Sequence, residues 1–120
     1  MDFTVRGKNI EVTEALRDFI GKKLGRLDKY FETPPVSGAH VALSVVRGNH
    51  NVEVTIPLPG VLLRAEEESD DMYASVDLVM DKLERQIRKH KTRINRKLRQ
   101  EGGLRDLFKE QDTLTNGAAA

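Results

Sequence analysis

Apolar and polar residues alternate through Asp2–Gly7, "DFTVRG", the period of a half-buried strand. After "NIEV" the period changes. Thr13 is a good helix N-cap, and Glu14 stands in the first turn, where a carboxylate favours the helix dipole. Leu16, Phe19, Ile20, Leu24, Leu27 and Phe31 then recur at helical spacing. They predict a helix that runs to about Tyr30 and stops before Pro34-Pro35, with "ETPPVSG" as the following loop. Two strands, "AHVALSVVRG" and "NVEVTIPL", are expected around a turn at "GNHN"; "PLPG" marks a second turn and "VLLRAEEE" a third strand. Connections this short predict an antiparallel meander.

Ser69–Asp71, "SDD", supplies capping oxygens and negative charge for a second helix. Along it Val76, Val79, Met80, Leu83, Ile87, Ile94 and Leu98 keep one apolar stripe. "EGG" after Arg99 is expected to end this helix, leaving "LRDLFKE" as a loose amphipathic turn and "QDTLTNGAAA" as disordered chain. The order β-α-β-β-β-α predicts an α+β fold: a four-stranded sheet with two helices on one face, since one sheet face can cover both apolar stripes. Residues 1–100 form the domain, and 101–120 a flexible tail or the start of a linker. A chain of 120 residues is one domain, and with aromatics at 5% its core is mostly Val, Leu and Ile.

Charge changes the picture. The formal net charge is +1, yet Lys82–Arg99, "KLERQIRKHKTRINRKLR", holds nine Lys or Arg and one acid, Glu84. That segment is +8, so the other 102 residues sum to −7. From Met72 to Arg99 a helix is roughly 42 Å long. A strand of six or seven residues covers only about 20–23 Å, so the basic end is expected to overhang the sheet. At 100° per residue Lys82, Arg85, Lys89, Arg93 and Arg96 fall away from Leu83 and Ile87, with Arg88 and Arg99 bordering them. Asp77, Asp81 and Glu84 lie on one flank or near the acidic start. On the first helix Lys22, Arg26 and Lys29 stand opposite the Leu16/Ile20/Leu27 stripe. Two such helices on one sheet present two basic ridges with a groove between them, a surface suited to the phosphate backbone of folded RNA.

A charged helix face is ordinarily just solvated, and basic residues near a C-terminus suit the macrodipole. Nine like charges with one acid exceed that, because their mutual repulsion destabilises the fold unless a polyanion offsets it. A calmodulin-type target or membrane-surface helix is the main competitor. It is weakened because the apolar stripe is needed to cover the sheet.

Several chemistries are missing. The chain has no cysteine, which removes disulfides, thiolate metal sites and a cysteine nucleophile. His40, His50 and His90 have no spacing suited to one metal site and read as surface or strand histidines. "EEESDD" reads as strand end plus helix cap, and Tyr73 as a packing residue. There is no P-loop, GxGxxG or GxSxG, no catalytic constellation, and no sign of a cofactor or small-molecule substrate. No apolar run resembles a signal peptide or approaches the ~20 residues of a membrane span, so a soluble, cytoplasmic protein is expected.

The stretch "LRAEEESDDMYASVDLVMDKLERQIRKHKTRINRK" resembles the signature of the ribosome hibernation promoting factors, the family that includes ribosome-associated inhibitor A. "DMYASVDL" followed by "KLERQIRKHK" is its most specific part. "GKNIEVTEALRDFIGKKLGRLDKYF" is similar to the family's opening strand and first helix, and "NVEVTIPL" to its middle strands. The resemblance covers residues 1–100 and implies a fold similar to a double-stranded-RNA-binding domain. It implies binding to ribosomal RNA of the small ribosomal subunit, in the channel that messenger RNA and tRNA would occupy, and silencing of translation under stress or in stationary phase. Carried over by position, the RNA-binding residues are Lys22, Lys23, Arg26 and Lys29, with Lys82, Arg85, Arg88, Lys89, Lys91, Arg93, Arg96 and Lys97. Lys23, Lys91 and Lys97 lie nearer the apolar stripes. "KTRINRK" and "VTIPL" look most like the N-terminal domain of the long form, whose C-terminal domain pairs ribosomes; dimerisation would need that absent domain. The rival reading is a protein-interaction module whose basic helix docks on an acidic partner. An RNA-modifying enzyme is a remote third.

Overall fold

The structure, a computed structural model, describes residues 1–33 and 35–114, and the side chains of 1–33 and 35–99. The elements follow the expected order: β1 (Phe3–Lys8), α1 (Glu14–Gly25), a 3₁₀ segment (Arg26–Tyr30), β2 (Ala39–Val46), β3 (Asn49–Leu58), β4 (Val61–Ser69) and α2 (Met72–Leu114). The sheet order is β1-β2-β3-β4. β1 runs parallel to β2 through the α1 crossover, and β2, β3 and β4 form the antiparallel meander.

One face of the sheet carries Val41, Leu43, Val52, Val54, Ile56, Leu63 and Ala65, all buried. Leu16, Ile20 and Leu24 of α1 and Val76, Val79, Leu83 and Ile87 of α2 close over it in a single core. The apolar stripes therefore do what their period requires, and the opposite sheet face stays open to solvent.

Thr13 caps α1 as expected, its Oγ1 accepting from the Leu16 N–H at 3.1 Å. Asp71 caps α2, with Oδ2 accepting from the Ala74 N–H at 2.9 Å. Ser75, buried one turn in, donates its hydroxyl to the His50 carbonyl at 2.7 Å and so fastens the start of α2 to β3.

Four local expectations are corrected. The first helix is α-helical only to Gly25 and tightens to 3₁₀ through Tyr30. The β2–β3 turn is Arg47-Gly48, both at positive φ (52° and 81°), with Asn49, His50 and Asn51 already in β3. Two positive φ values are what a two-residue hairpin with native twist requires. The second helix does not end at "EGG": it continues through Leu114 and is interrupted instead at His90 (φ −112°, ψ 15°). Glycine weakens a helix by about 1 kcal/mol but does not forbid it. Lastly, β3 and β4 are 10 and 9 residues long, about 30 Å at ~3.3 Å each, and carry α2 further than a short strand would. Ile94 and Leu98 are accordingly still buried, so the basic segment is seated on the domain through Leu98. Residues 115–120 of the expected tail lie outside the described residues.

Gly38 (φ +70°) ends the loop into β2, and a Cβ there would collide with the Asp2 carbonyl oxygen. The same oxygen accepts from the Ala39 N–H at 2.8 Å, starting the β1–β2 pairing. Gly38→Ala is expected to lower stability by about 2 kcal/mol or more, from the left-handed backbone and the clash together. Urea denaturation checks it; an unchanged midpoint would contradict this account of the loop.

Candidate nucleic-acid interface

α1 and α2 run parallel. Phe19 meets Tyr73 edge-on at 5.0 Å between ring centroids, Lys23 pairs with Asp77 at 2.8 Å, and the Tyr30 hydroxyl donates to Glu84 at 3.0 Å. Contacts thus climb both helices together. Parallel packing puts both basic C-terminal halves at one end of the molecule, and the acidic starts, Glu14 and Asp18 on α1, Asp70 and Asp71 just before α2 and Asp77 on it, at the other. This arrangement reconciles a +8 segment with a net charge of +1.

Lys22, Arg26 and Lys29 are exposed beside one another on α1 and the 3₁₀ segment, with the Lys29 ammonium 5.2 Å from the centre of the Tyr30 ring. On α2 Arg85, Arg88, Lys89, Lys91, Arg93 and Arg96 are exposed. Arg88 stands 3.7 Å from Glu84, an exposed pair worth at most about 1 kcal/mol. Lys22, Arg26, Lys29, Arg85, Lys89, Lys91, Arg93 and Arg96 have no carboxylate partner among the described residues.

Three expected contact residues are placed differently from the rest. Lys23 is half-buried, bonded to Asp77 and 5.3 Å from the Phe19 ring centre. Lys82 reaches back to the sheet edge, 3.7 Å from Glu67 and 3.3 Å from the Glu66 carbonyl, which it meets as donor. Lys97 is half-buried against the β3–β4 turn, close enough that a Cβ at Gly60 would touch its stem. The groove between the helices is bridged by Lys23–Asp77 and Tyr30–Glu84, so the cationic surface is the outer side of the two ridges rather than the groove floor.

Asn95, which reads from sequence as one more polar position in a basic helix, is buried. Its Oδ1 accepts from the Glu32 N–H at 3.0 Å and its Nδ2 donates to the Tyr30 carbonyl at 2.9 Å. Arg99 adds an exposed contact to Glu32 at 3.5 Å. The only sequence sign is that Asn95 adjoins Ile94 and so flanks the apolar stripe. Asn95→Ala leaves a buried donor and acceptor unpaired and is expected to cost about 2–4 kcal/mol. Thermal unfolding reads it; a melting temperature equal to that of the parent would contradict a stabilising role for these two hydrogen bonds.

Tyr73 is 40% exposed, its ring edge-on to Phe19 at 70°, so it packs with one side in water. Among the described residues no group of three His, Asp or Glu is placed to hold a metal ion. No helix among them is long and apolar enough to cross a membrane.

Residues 3–95 match the family model described as Sigma 54 modulation protein / S30EA ribosomal protein. The chain belongs to this family. A curated relative, the ribosome hibernation promotion factor of Staphylococcus aureus (strain COL), is 50% identical over 101 residues, covering 83% of this chain and 53% of its own length. The chain thus spans about half the length of that relative. Among solved structures, the Protein Y N-terminal domain of Thermus thermophilus is similar at 41% identity and a TM-score of 0.66, over 71% of this chain and 92% of that one. A ribosomal subunit interface protein from Coxiella burnetii is 35% identical with a TM-score of 0.67, over 77% and 99%. Both solved structures are similar to the α+β sheet-and-two-helix architecture described above.

Proposed function

We propose that this chain is a non-enzymatic ribosome hibernation factor that binds ribosomal RNA of the small subunit. It occupies the decoding channel, excluding messenger RNA and tRNA and silencing translation in the cytoplasm. The observation that carries the reading is the convergence of unpaired cations from two parallel helices on one end of the fold. Membership of the S30EA family supports it, as do relatives named for ribosome hibernation and for the ribosomal subunit interface. Residues 1–100 supply the binding domain.

Physically, Arg85, Arg88, Lys89 and Arg96 with Lys22, Arg26 and Lys29 form the phosphate-facing surface. Arg93 and Lys91 extend it on either side. Lys23, Lys82 and Lys97 act mainly through what they hold: Lys23 joins the helices, Lys82 fixes α2 to β4, and Lys97 seats the helix on the turn. Released counterions drive association, so affinity falls steeply with salt. The acids on the open sheet face, Glu53, Glu66 and Glu68, turn that side away from phosphate and help orient docking.

Co-sedimentation with vacant small subunits, and in parallel with ribosomes carrying messenger RNA and P-site tRNA, tests the reading. Binding to vacant particles alone is expected. Equal binding to both would move the site out of the channel. Binding to neither would favour the rival, a basic helix that docks on an acidic protein.

A further inference from the structure

A cavity of about 430 Å³ lies between the β3–β4 turn and the break in α2, lined among others by Val61, Leu62, Leu63, Gln86, His90 and Arg93. Its size falls within the ~300–1,000 Å³ of small-ligand pockets. Two features set it apart from an incidental gap. The helix is interrupted at His90, on the cavity wall, although Lys89-His90-Lys91 contains neither the Pro nor the Gly that ordinarily causes a break. And its composition is divided: Val61, Leu62 and Leu63 are apolar, Arg93 brings a cation with no carboxylate partner among the described residues, and Lys97 stands over Gly60 at the turn end.

The edge of the sheet adds polar recognition. Leu58 and Val61 close a two-residue hairpin, so alternate residues of β4 aim their backbone groups away from β3. The outward carbonyls of Arg64 and Glu66 are taken by Gln86 and Lys82, each as donor at 3.3 Å. By the same alternation the N–H and C=O of Leu62 point outward at the cavity. The Leu62 side chain, 62% exposed, lies with Arg64 and Glu66 on the open face of the sheet, while Val61 and Leu63 are on the face that α2 covers.

We propose that this cavity receives one unstacked ribonucleotide, its base against Val61 and the His90 imidazole and its phosphate at Arg93. This rests on the RNA-binding reading above and deepens it: the outer ridge tracks the backbone, and the cavity takes a base. A histidine face and an apolar floor suit any base by stacking, while an outward backbone N–H and C=O pair can address its edge. The shared chemistry is a phosphorylated nucleoside, supplied by an RNA strand or by a free mononucleotide.

Amide NMR of the full chain titrated with a single-stranded heptaribonucleotide, adenosine 5′-monophosphate and inorganic phosphate tests this. The strand is expected to shift the amides of Leu62, Arg64, His90 and Arg93 at concentrations at least about tenfold below the mononucleotide, because the ridge adds phosphate contacts. His90→Ala, at an exposed position, should weaken the response at least about tenfold while leaving the rest of the spectrum in place. A mononucleotide that binds as tightly as the strand would overturn RNA as the source. If inorganic phosphate reproduces the whole pattern, or if no cavity amide moves, the nucleotide site is overturned. Small subunits that still bind the chain in that case leave the wider reading standing. Cavity shifts without subunit binding would refute the wider reading instead.

Discussion

Replacing Arg85, Arg88 and Lys89 together by Glu is expected to abolish the proposed binding to small subunits and to leave the fold intact. All three side chains are exposed on the outer side of α2, and only Arg88 has a carboxylate partner among the described residues, Glu84 at 3.7 Å. No core contact is lost, so the melting temperature should stay within about 3 °C of the parent. At the interface the local charge changes by six units, from attraction to repulsion of phosphate. Like charges brought together at an interface cost several kcal/mol, and every ~1.4 kcal/mol is tenfold in affinity. A loss of more than about 100-fold is therefore expected, read by co-sedimentation at fixed salt. A variant that still pelleted with the subunits would place the interface elsewhere.

Leu83→Ala tests the other half of the account, that the basic ridge is presented by a core and not by a free helix. Leu83 is fully buried two residues before Arg85, within the layer where α2 covers the sheet. Removing a buried leucine side chain costs about 2–5 kcal/mol, from lost transfer energy plus the cavity left behind. A domain of this size has only about 5–15 kcal/mol in total. The urea midpoint should fall by more than about 1 M with an unchanged slope, and the melting temperature by roughly 10 °C or more. Where the variant remains folded, its affinity for small subunits should match the parent, because no cation has moved. The two variants are opposites: one loses binding and keeps stability, the other loses stability and keeps binding. If Leu83→Ala lost affinity while fully folded, packing and binding would be coupled through α2.

The elements and their order were legible because period alone separates strand from helix here. The alternation of Asp2–Gly7 and the Leu16-to-Leu27 and Val76-to-Leu98 stripes each point to one inward face, which the structure half-buries in β1 and buries in the helices. Misplaced features depend on single residues or on neighbours distant in sequence. Arg47 adopts φ 52° inside a hairpin turn, although arginine carries no turn preference comparable to that of Asn49, two residues on. The break at His90 has no local cause, whereas Gly102 and Gly103, which look like breakers, lie within a helical assignment. A helical wheel places Lys82 on the outer side, but a lysine stem is long enough to reach Glu67 on β4, and only the fold shows that Glu67 is near. Asn95 was invisible for the same reason. Its partners, the Tyr30 carbonyl and the Glu32 N–H, are backbone groups more than sixty residues away.

Because the chain contains no cysteine, a single one can be placed at will to carry a hydroxyl-radical source. Thr92→Cys puts the source on the exposed outer side of α2 among the cations, and Ala42→Cys puts it on the open face of the sheet. With each labelled chain bound to vacant small subunits, strand scission of the ribosomal RNA reports which face lies against it. Strong, localised cleavage from position 92 and little from position 42 are expected. Cleavage chiefly from position 42 would mean that the sheet, and not the paired basic helices, meets the RNA.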